Sequence, residues 1–198
     1  MDRCKIAVLG DGGVGKTALA VQFTLSCFLG QKRRYLQLLE TYDPTIEDAF
    51  LKQMVVGGRM CAIEIIDTAG QEEYSVLRNQ WIRGAEAFVV VYSIASEDSF
   101  NCVEKFWKLI HEVKKEPPPF ILVGNMADKT SQREVLAAQG AALARLYGCE
   151  LVETSAKSGQ NVELPFTAMV SEVRRRRPQV ADTSIDGNHS GCGRCIVM

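Results

Sequence analysis

The sequence lacks the long apolar stretch and the N-terminal secretory pattern that mark chains sent into or across a membrane. No uninterrupted apolar run approaches the ~20 residues that span a bilayer. We therefore expect a protein that is made and kept in the cytosol. The chain also has almost no net charge, since 23 basic and 24 acidic residues leave a formal charge of −1. Such a balance argues against general nucleic-acid binding.

Histidine is scarce, which limits the chemistry open to the chain. His111 falls in a predicted helix and His189 in a polar C-terminal stretch, so no Ser-His-Asp or Cys-His arrangement is indicated. The seven cysteines are scattered, and four of the first five have apolar neighbours, so we expect reduced core residues. They are Cys4, Cys27, Cys61, Cys102, Cys149, Cys192 and Cys195.

A length of 198 residues with 46% hydrophobic content suits a single soluble domain with a substantial core. Apolar runs without alternation predict strands that are buried on both faces. Apolar residues at helical spacing predict amphipathic helices that cover the sheet. The predicted strands include 5–9, 63–66, 88–91 and 120–123, and the predicted helices cover 100–113 and 162–173.

Turn and cap signals complete this outline of the fold. Gly57-Gly58 predicts a hairpin between strands at 50–56 and 60–67. Ser96 predicts a helix start, and Gly148 predicts a helix end. The pattern indicates a three-layer α/β/α fold whose six-stranded sheet is mostly parallel, with one antiparallel edge strand.

The regular pattern ends after Arg177. The polar residues over 178–194 cannot bury a face, which predicts a flexible tether. We therefore divide the chain into a domain of residues 1–177 and a tail of residues 178–198. A second irregular segment, 29–39, mixes basic residues and leucines without a clean period.

A glycine-rich motif follows the first predicted strand and opens a predicted helix. It matches G-x-x-x-x-G-K-[ST], in which glycines let backbone N–H groups wrap around phosphate oxygens and the helix N-terminus favours negative charge. The lysine would reach the terminal phosphates, and the threonine hydroxyl would bind Mg²⁺. A glycine-rich turn that binds nothing is the alternative. The motif is Gly10, Asp11, Gly12, Gly13, Val14, Gly15, Lys16 and Thr17.

Two later segments predict which base is bound. Asp128 in Asn125-Met126-Ala127-Asp128 offers a carboxylate to the ring N–H and exocyclic amine of guanine, a donor pair that adenine lacks. Ser155-Ala156-Lys157 follows the last predicted strand, where backbone N–H groups can meet the guanine carbonyl. Each segment alone is weak, because N-x-x-D also occurs as a loop cap. An ATPase or small kinase is the alternative, and these two segments disfavour it.

Five motifs in order make the chain resemble the Ras family of small GTPases, including its fungal-type members, over residues 3–177 and again at the C-terminus. The resemblance implies the P-loop NTPase fold and a switch that hydrolyses GTP to GDP with Mg²⁺. The motifs are the phosphate loop; Tyr42, Asp43, Pro44, Thr45, Ile46, Glu47 and Asp48; Asp67 to Tyr74; Asn125 to Asp128; and Glu153 to Lys157.

The resemblance also assigns roles to individual residues. Gln71 would orient the attacking water, Lys16 and Gly70 would contact the γ-phosphate, and Thr17 and Thr45 would bind Mg²⁺, with Asp67 holding the metal through its shell. Gly12 would leave room for Gln71 and for an arginine finger, so intrinsic hydrolysis should be slow. Further nucleotide contacts would come from Ala18, Phe28, Thr68, Ala69, Asn125, Met126, Asp128, Ser155, Ala156 and Lys157.

Partners follow from the same resemblance. A monomeric switch of this kind implies an exchange factor, an activating protein and effectors, which would bind residues 42–48 in the GTP form. Charge alone leaves open that Asp43, Glu47 and Asp48 are solvated loop acids. A GTP-binding scaffold with negligible turnover is the alternative from another functional class.

Two features depart from the family pattern. Met126 stands where the family usually has lysine, so the loop keeps its packing but loses an amine, and we expect weaker nucleotide retention. Between Phe28 and Glu40 the chain is about ten residues longer than the family pattern, a length that costs little stability in a loop. That insertion would either loosen the switch, recruit a partner or be passive decoration.

The C-terminus predicts a lipid anchor. Cys195-Ile196-Val197-Met198 matches a farnesylation signal, and Cys192 is a candidate for palmitoylation, because one prenyl chain binds a membrane only marginally. Cys192 and Cys195 also form C-x-x-C, but a zinc site needs more ligands. Arg174 to Arg177 would either attract anionic lipid or form the solvated end of a helix. We expect the cytoplasmic face of the plasma membrane.

Overall fold

The computed structural model describes residues 1–26, 47–68 and 75–177, without the side chains of 47–48 and 75–78. Its secondary structure alternates between strands and helices, as the apolar runs predict. The strands are β1 Asp2–Gly10, β2 Glu47–Val56, β3 Arg59–Thr68, β4 Ala87–Ser93, β5 Phe120–Asn125 and β6 Glu150–Glu153. The helices are α1 Lys16–Leu25, α2 Ser75–Gly84, α3 Glu97–Asn101, α4 Val103–Val113, α5 Ala137–Tyr147 and α6 Glu163–Arg176, with a 3₁₀ turn at Thr130–Gln132.

The six strands form one sheet in the order β2-β3-β1-β4-β5-β6. Neighbouring strands are parallel except β2 and β3, which pair antiparallel through the Gly57-Gly58 turn. Both glycines have positive φ, 57° and 76°, as a tight hairpin turn requires. The predicted sheet with one antiparallel edge strand is therefore confirmed.

Helices cover both faces of the sheet and bury two separate cores. One core packs α1 and α6 against alternate strand residues such as Ile6 and Val89. The other packs α2, α4 and α5 against the intervening residues, such as Leu9 and Val90. Because every residue of β4 is buried, that strand shows no polar alternation in the sequence.

The predicted helix over 100–113 is wrong in one respect, because the structure divides it. α3 ends at Asn101 and α4 begins at Val103, with Cys102 as a turn between them. The predicted caps are confirmed: the Ser96 side chain accepts from the Ser99 N–H at 3.2 Å, and Gly148 ends α5 at φ 66°. Among the described helices, none is long and apolar enough to cross a bilayer.

The cysteines within the described residues are all free thiols. Cys4 and Cys61 are buried in the core, as predicted, while Cys102 and Cys149 are half-buried. Burial raises the pKa of Cys4 to about 12, so this thiol stays protonated and unreactive at neutral pH. Cys27, Cys192, Cys195 and the tail 178–198 lie outside the described residues.

The run of arginines at the end of α6 makes contacts within the domain. Arg174 forms an ion pair with Asp2 at 2.7 Å and also donates to the Val56 carbonyl. Arg177 pairs with Glu86 at 2.6 Å. Arg175 and Arg176 share Glu172, whose pKa they lower to about 2. These contacts favour a structural role for the run over a membrane-binding one.

Tyr92 is fully buried between two glycines. A Cβ built on Gly140 would lie 2.5 Å from the Tyr92 hydroxyl oxygen, and one built on Gly124 would lie 2.8 Å from it. Among the described residues this hydroxyl has no hydrogen-bond partner, and burial raises the Tyr92 pKa to about 12. The lack of side chains at Gly124 and Gly140 therefore leaves space for the Tyr92 hydroxyl, although this hydroxyl forms no hydrogen bond with the described residues.

We expect Tyr92→Phe to leave stability unchanged or to raise it by up to ~1 kcal/mol, because it removes an unsatisfied buried group. Gly140→Ala should destabilise the wild type, and the Tyr92→Phe background should relieve most of that cost, because the close contact that remains is with the flexible end of Leu151 at 3.0 Å. Urea unfolding at one fixed GDP concentration measures both effects, because bound ligand also raises stability. Additive effects of the two substitutions would contradict this account of the packing.

Candidate functional site

The functional residues predicted from sequence lie where the parallel strands end. β1 ends at Gly10, β4 at Ser93 and β5 at Asn125, and the register places Ser93 beside Asn125. Because parallel strands point the same way, the loops that follow them meet at one edge of the sheet, where α/β proteins bind their ligands. The loops after β1, β5 and β6 form this site.

The glycine-rich loop after β1 has the backbone conformation of a phosphate cradle. Gly10, Gly13 and Gly15 have φ of 149°, 73° and 89°, a region that L side chains rarely adopt. Gly15 is the N-cap of α1, so the loop runs directly into a helix N-terminus. Backbone N–H groups and the helix dipole both favour an anion at that place.

Lys16 lies in the curve of this loop. It is only 7% exposed, and its Nζ donates to the carbonyls of Gly10 at 3.0 Å and Asp11 at 2.7 Å. The Asp11 carboxylate accepts the Gly12 N–H at 2.8 Å. The ammonium thus lies within the curve of the loop, the place at which the motif predicts a phosphate.

Thr17 and Asp67 bring two oxygen donors together beside the loop. The Thr17 hydroxyl donates to Asp67 Oδ2 at 2.5 Å, and Asp67 is fully buried at the end of β3. Next to it, the Thr68 hydroxyl donates to the Val8 carbonyl at 2.8 Å, which fixes the strand end to β1. Hydroxyl and carboxylate oxygens are ligands suited to Mg²⁺, which takes few protein ligands and completes its shell with phosphate and water.

Asn125 joins the phosphate loop to the two base-binding loops. Its Nδ2 donates to the Val14 carbonyl at 2.9 Å, while its Oδ1 accepts from the Thr154 hydroxyl at 3.2 Å and from the Ala156 N–H at 3.3 Å. A Cβ on Gly15 would lie 2.6 Å from this Nδ2. Asn125 therefore has a positioning role that the N-x-x-D pattern alone does not reveal.

Asp128 lies at an open cavity of about 490 Å³ between these loops. Its Oδ1 accepts the Ser155 hydroxyl at 2.6 Å, and Lys157 Nζ is 3.9 Å from its Oδ2. Two carboxylate oxygens have room for further donors, so the pair required by guanine can be met. The cavity is lined by Gly15, Ala18, Asn125, Met126, Asp128, Lys129, Ser131, Gln132, Ala156 and Lys157.

An ion pair that sequence reasoning missed links the two base-binding loops. The Arg133 guanidinium donates a hydrogen bond from each Nη atom to the Glu153 carboxylate, both at 2.7 Å. The carboxylate raises the pKa of Arg133. This paired geometry fixes direction as well as distance. The signal for it was weak, because Glu153 opens a recognised motif but Arg133 belongs to none.

Met126 contacts both the phosphate loop and β4. Its backbone has φ 65°, its Sδ accepts the Ser93 hydroxyl at 3.3 Å, and its Cε lies 3.7 Å from a Cβ built on Gly15. The tip of residue 126 thus reaches the phosphate loop. The sequence did not predict this contact of Ser93, because Ser93 is 33 positions from Met126 and belongs to no motif.

We expect Met126→Lys to slow GDP release by about tenfold, the effect of one charge-assisted hydrogen bond. The lysine side chain is one atom longer, so its amine would reach the carbonyls of the phosphate loop. Release of a fluorescent GDP analogue measures this rate. Met126→Leu is the matched control, since it keeps the packing without an amine. Equal release rates for wild type and Met126→Lys would refute the argument.

Several predicted site residues lie outside the described residues. The effector segment has a described backbone only at Glu47 and Asp48, which open β2. The structure therefore brings together the phosphate loop, Ala18, Asp67, Thr68 and the two base-binding loops. The residues outside it are Phe28, Tyr42, Asp43, Pro44, Thr45, Ile46, Ala69, Gly70, Gln71, Cys192 and Cys195.

Comparison with known proteins agrees with this site. The profile of the Ras family matches residues 5–175. "Ras-like protein 1" of Pyricularia oryzae is 46% identical over 93% of this chain and 80% of its own length. "Protein ras-2" of Neurospora crassa is 46% identical over 90% and 82%. "Ras-like protein B" of Aspergillus fumigatus is 45% identical over 88% and 79%.

Proposed function

The chain belongs to the Ras family and is a GTP-hydrolysing signalling switch, and we propose that it runs its cycle with the residues of the site just described. The phosphate loop, with Lys16, binds the phosphates, and Asp128 reads guanine. The observation that carries this proposal is Asn125, which hydrogen-bonds to the phosphate loop and to the loop after β6. Phosphate binding and base recognition therefore share one rigid frame.

The metal proposed for the site is Mg²⁺. Thr17 and Asp67 would hold it, Thr17 directly and Asp67 through its shell, together with Thr45 from the preceding segment. When bound, Mg²⁺ neutralises charge on the phosphates. The chain's own contribution is to keep the Thr17 hydroxyl and the Asp67 carboxylate in contact at 2.5 Å.

Hydrolysis in this proposal depends on Gln71, which orients the attacking water, and on Gly70, whose backbone contacts the γ-phosphate. Lys16 stabilises charge that develops on the phosphate during transfer. Loss of the γ-phosphate releases the segments around Thr45 and Gly70, and this change distinguishes the GTP form from the GDP form. Intrinsic turnover is slow, so an activating protein sets the rate.

Regulators and effectors are general to the family. The finer proposal is that effectors bind residues 42–48 in the GTP form. β2 is an edge strand that begins at Glu47, which suits strand addition by a partner. The acidic residues Asp43, Glu47 and Asp48 suit a basic partner surface.

We also propose a lipid anchor at Cys195, with palmitoylation of Cys192 as the second signal. Two signals are needed because a single prenyl chain gives only marginal membrane binding. Arg174 to Arg177 contribute little, because each already contacts a group within the domain. A Cys195→Ser variant that fractionates with membranes as fully as wild type would exclude this anchor.

Single-turnover hydrolysis of GTP tests the catalytic proposal. Wild type should hydrolyse bound GTP slowly, and an activating protein should accelerate it strongly. Gln71→Leu should bind GTP normally but lose most of that acceleration. Gln80→Leu in α2 is the control, since Gln80 is exposed and belongs to none of the five motifs.

Absence of hydrolysis in wild type, with and without an activating protein, would favour a GTP-binding scaffold instead. Met126 and the insertion before Glu40 are the features that would support that alternative. Competition by ATP for bound GDP would contradict the role of Asp128.

A further inference from the structure

Ser93 is a buried polar residue at the end of β4 that belongs to none of the five motifs. It is 5% exposed, and the strand register places it beside Asn125, where the base-binding loop after β5 begins. A buried hydroxyl needs a hydrogen-bond partner, because an unsatisfied polar group inside a protein costs stability. Among the described residues, the acceptor of this hydroxyl is the Met126 Sδ atom, at 3.3 Å.

The turn after β4 holds the Ser93 hydroxyl in a fixed position. Its Oγ accepts the Ala95 N–H at 3.2 Å. The Ile94 N–H donates to the Asn125 carbonyl at 3.0 Å, which ties the same turn to the end of β5. The bond from Ala95 fixes the oxygen of the hydroxyl, and the hydroxyl hydrogen then bonds with Met126. Ser93 is therefore a rigid point from which a neighbouring side chain can be held.

Met126 has a flexible side chain, whose position depends on its contacts. A methionine side chain is unbranched and has several rotatable bonds, so it can adopt many conformations. The Met126 backbone has φ 65°, and its carbonyl accepts the Lys129 N–H at 2.8 Å. These features fix the backbone of the loop but leave the side chain to be placed. The hydrogen bond from Ser93 fixes the sulfur atom, which lies near the tip of that side chain.

The Met126 thioether lies between the phosphate loop and the base cavity. Its Cε is 3.7 Å from a Cβ built on Gly15, in the phosphate loop. Met126 also lines the cavity of about 490 Å³ to which Asp128 contributes, so a base held by Asp128 would lie beside the thioether. Sulfur makes favourable contacts with aromatic rings. The position of the Met126 side chain therefore bears on both ends of a bound nucleotide.

We propose that Ser93 is a positioning residue for nucleotide retention, which acts by holding the Met126 thioether against the phosphate loop and the base. The hydrogen bond between hydroxyl and sulfur is neutral, so it ties β4 to the base-binding loop without an amine at residue 126. Ser93 acts through Met126 and has no part in hydrolysis. This inference rests on the proposed function, because it assigns a role within the nucleotide site.

A double-mutant cycle on GDP release from the full chain tests this role. Ser93→Ala removes the hydrogen-bond donor, and Met126→Leu removes the acceptor while it keeps an apolar side chain. We expect each single variant to release a fluorescent GDP analogue about fivefold faster than wild type, the effect of one neutral hydrogen bond. The double variant should also release it about fivefold faster, and not the roughly twenty-fivefold of independent effects, because both changes break the same bond.

Ser99→Ala is the matched control for a purely structural effect. The Ser99 hydroxyl is also buried, and it accepts the Ser93 backbone N–H at 3.0 Å, but within the described residues it forms no hydrogen bond with Met126. Ser99→Ala should lower the free energy of unfolding in urea, which also checks that every variant is folded. Any effect of Ser99→Ala on the GDP release rate should multiply with that of Met126→Leu.

Release rates that multiply in the cycle of Ser93→Ala with Met126→Leu would overturn this role of Ser93. So would an equal departure from multiplication in the cycle with Ser99→Ala, because the turn would then have loosened as a whole. Failure of the proposed function gives a different result, since wild type would then bind no GDP. If wild type binds GDP and Ser93→Ala releases it at the wild-type rate, only the role of Ser93 is excluded.

Discussion

Asp128→Asn should lower the affinity for GDP on the order of a thousandfold, because the new amide group turns a donor towards the donors of guanine. The same change should raise the affinity for XDP, since xanthine has a carbonyl in place of the amine. The amide NH₂ meets that carbonyl, and the amide oxygen accepts from the ring N–H. Base preference should therefore invert.

Competition of GDP and XDP against a fluorescent nucleotide measures this inversion. Glu150→Gln is the control, because it removes one negative charge at the opposite end of β6 and should leave both affinities unchanged. Ser155→Ala should weaken GDP binding by less, since its hydroxyl only positions the Asp128 carboxylate at 2.6 Å. Loss of both nucleotides in Asp128→Asn would mean that the loop had collapsed.

Features that depend on residues close together in the sequence could be predicted from it. The strands were found because parallel strands buried on both faces read as apolar runs. The phosphate loop was found because its positive φ angles require glycine at fixed offsets, here Gly10 and Gly15. The break at Cys102 was missed, because apolar residues keep helical spacing across it.

Contacts between distant positions were not predictable from one sequence. Arg174 pairs with Asp2 across 172 positions, and Arg133 with Glu153 across 20. Neither pairing produces a periodic pattern in the sequence, because an arginine is equally acceptable at many positions near the surface. The sequence therefore left the role of the C-terminal arginines open, and only their geometry favours a structural role.

Two glycines of the phosphate loop, Gly10 and Gly12, have different surroundings in the fold. A Cβ on Gly10 would lie 2.2 Å from the Val91 carbonyl oxygen, at φ 149°. That oxygen belongs to β4, which is wholly buried and cannot shift. A Cβ on Gly12 would meet no described atom within 4 Å. Gly12 is thus free of packing constraints from the described part of the domain.

Gly10→Ala should cost at least ~3 kcal/mol of unfolding free energy, through backbone strain and a clash with a fixed carbonyl. Gly12→Ala should change unfolding free energy by less than ~0.5 kcal/mol. Urea unfolding of both variants at one fixed GDP concentration measures this contrast. Similar losses of unfolding free energy in the two variants would show that a side chain anywhere in the loop is destabilising. The contact with Val91 would then not be the reason that Gly10 is needed.

The rate of stimulated GTP hydrolysis should show the opposite contrast, with Gly12→Ala as the more impaired variant. Gly12→Ala should fold and bind GDP normally but lose most of the rate that an activating protein adds, because the side chain would crowd Gln71 and an incoming arginine. Single-turnover hydrolysis with an activating protein measures that rate. Gly10→Ala protein that does fold should keep its acceleration, since the closest atom to a Cβ on Gly10 is the Val91 carbonyl oxygen of β4. If an activating protein stimulates hydrolysis by Gly12→Ala as fully as by wild type, this glycine has no role in hydrolysis. Its place in the loop would then be explained by phosphate binding alone.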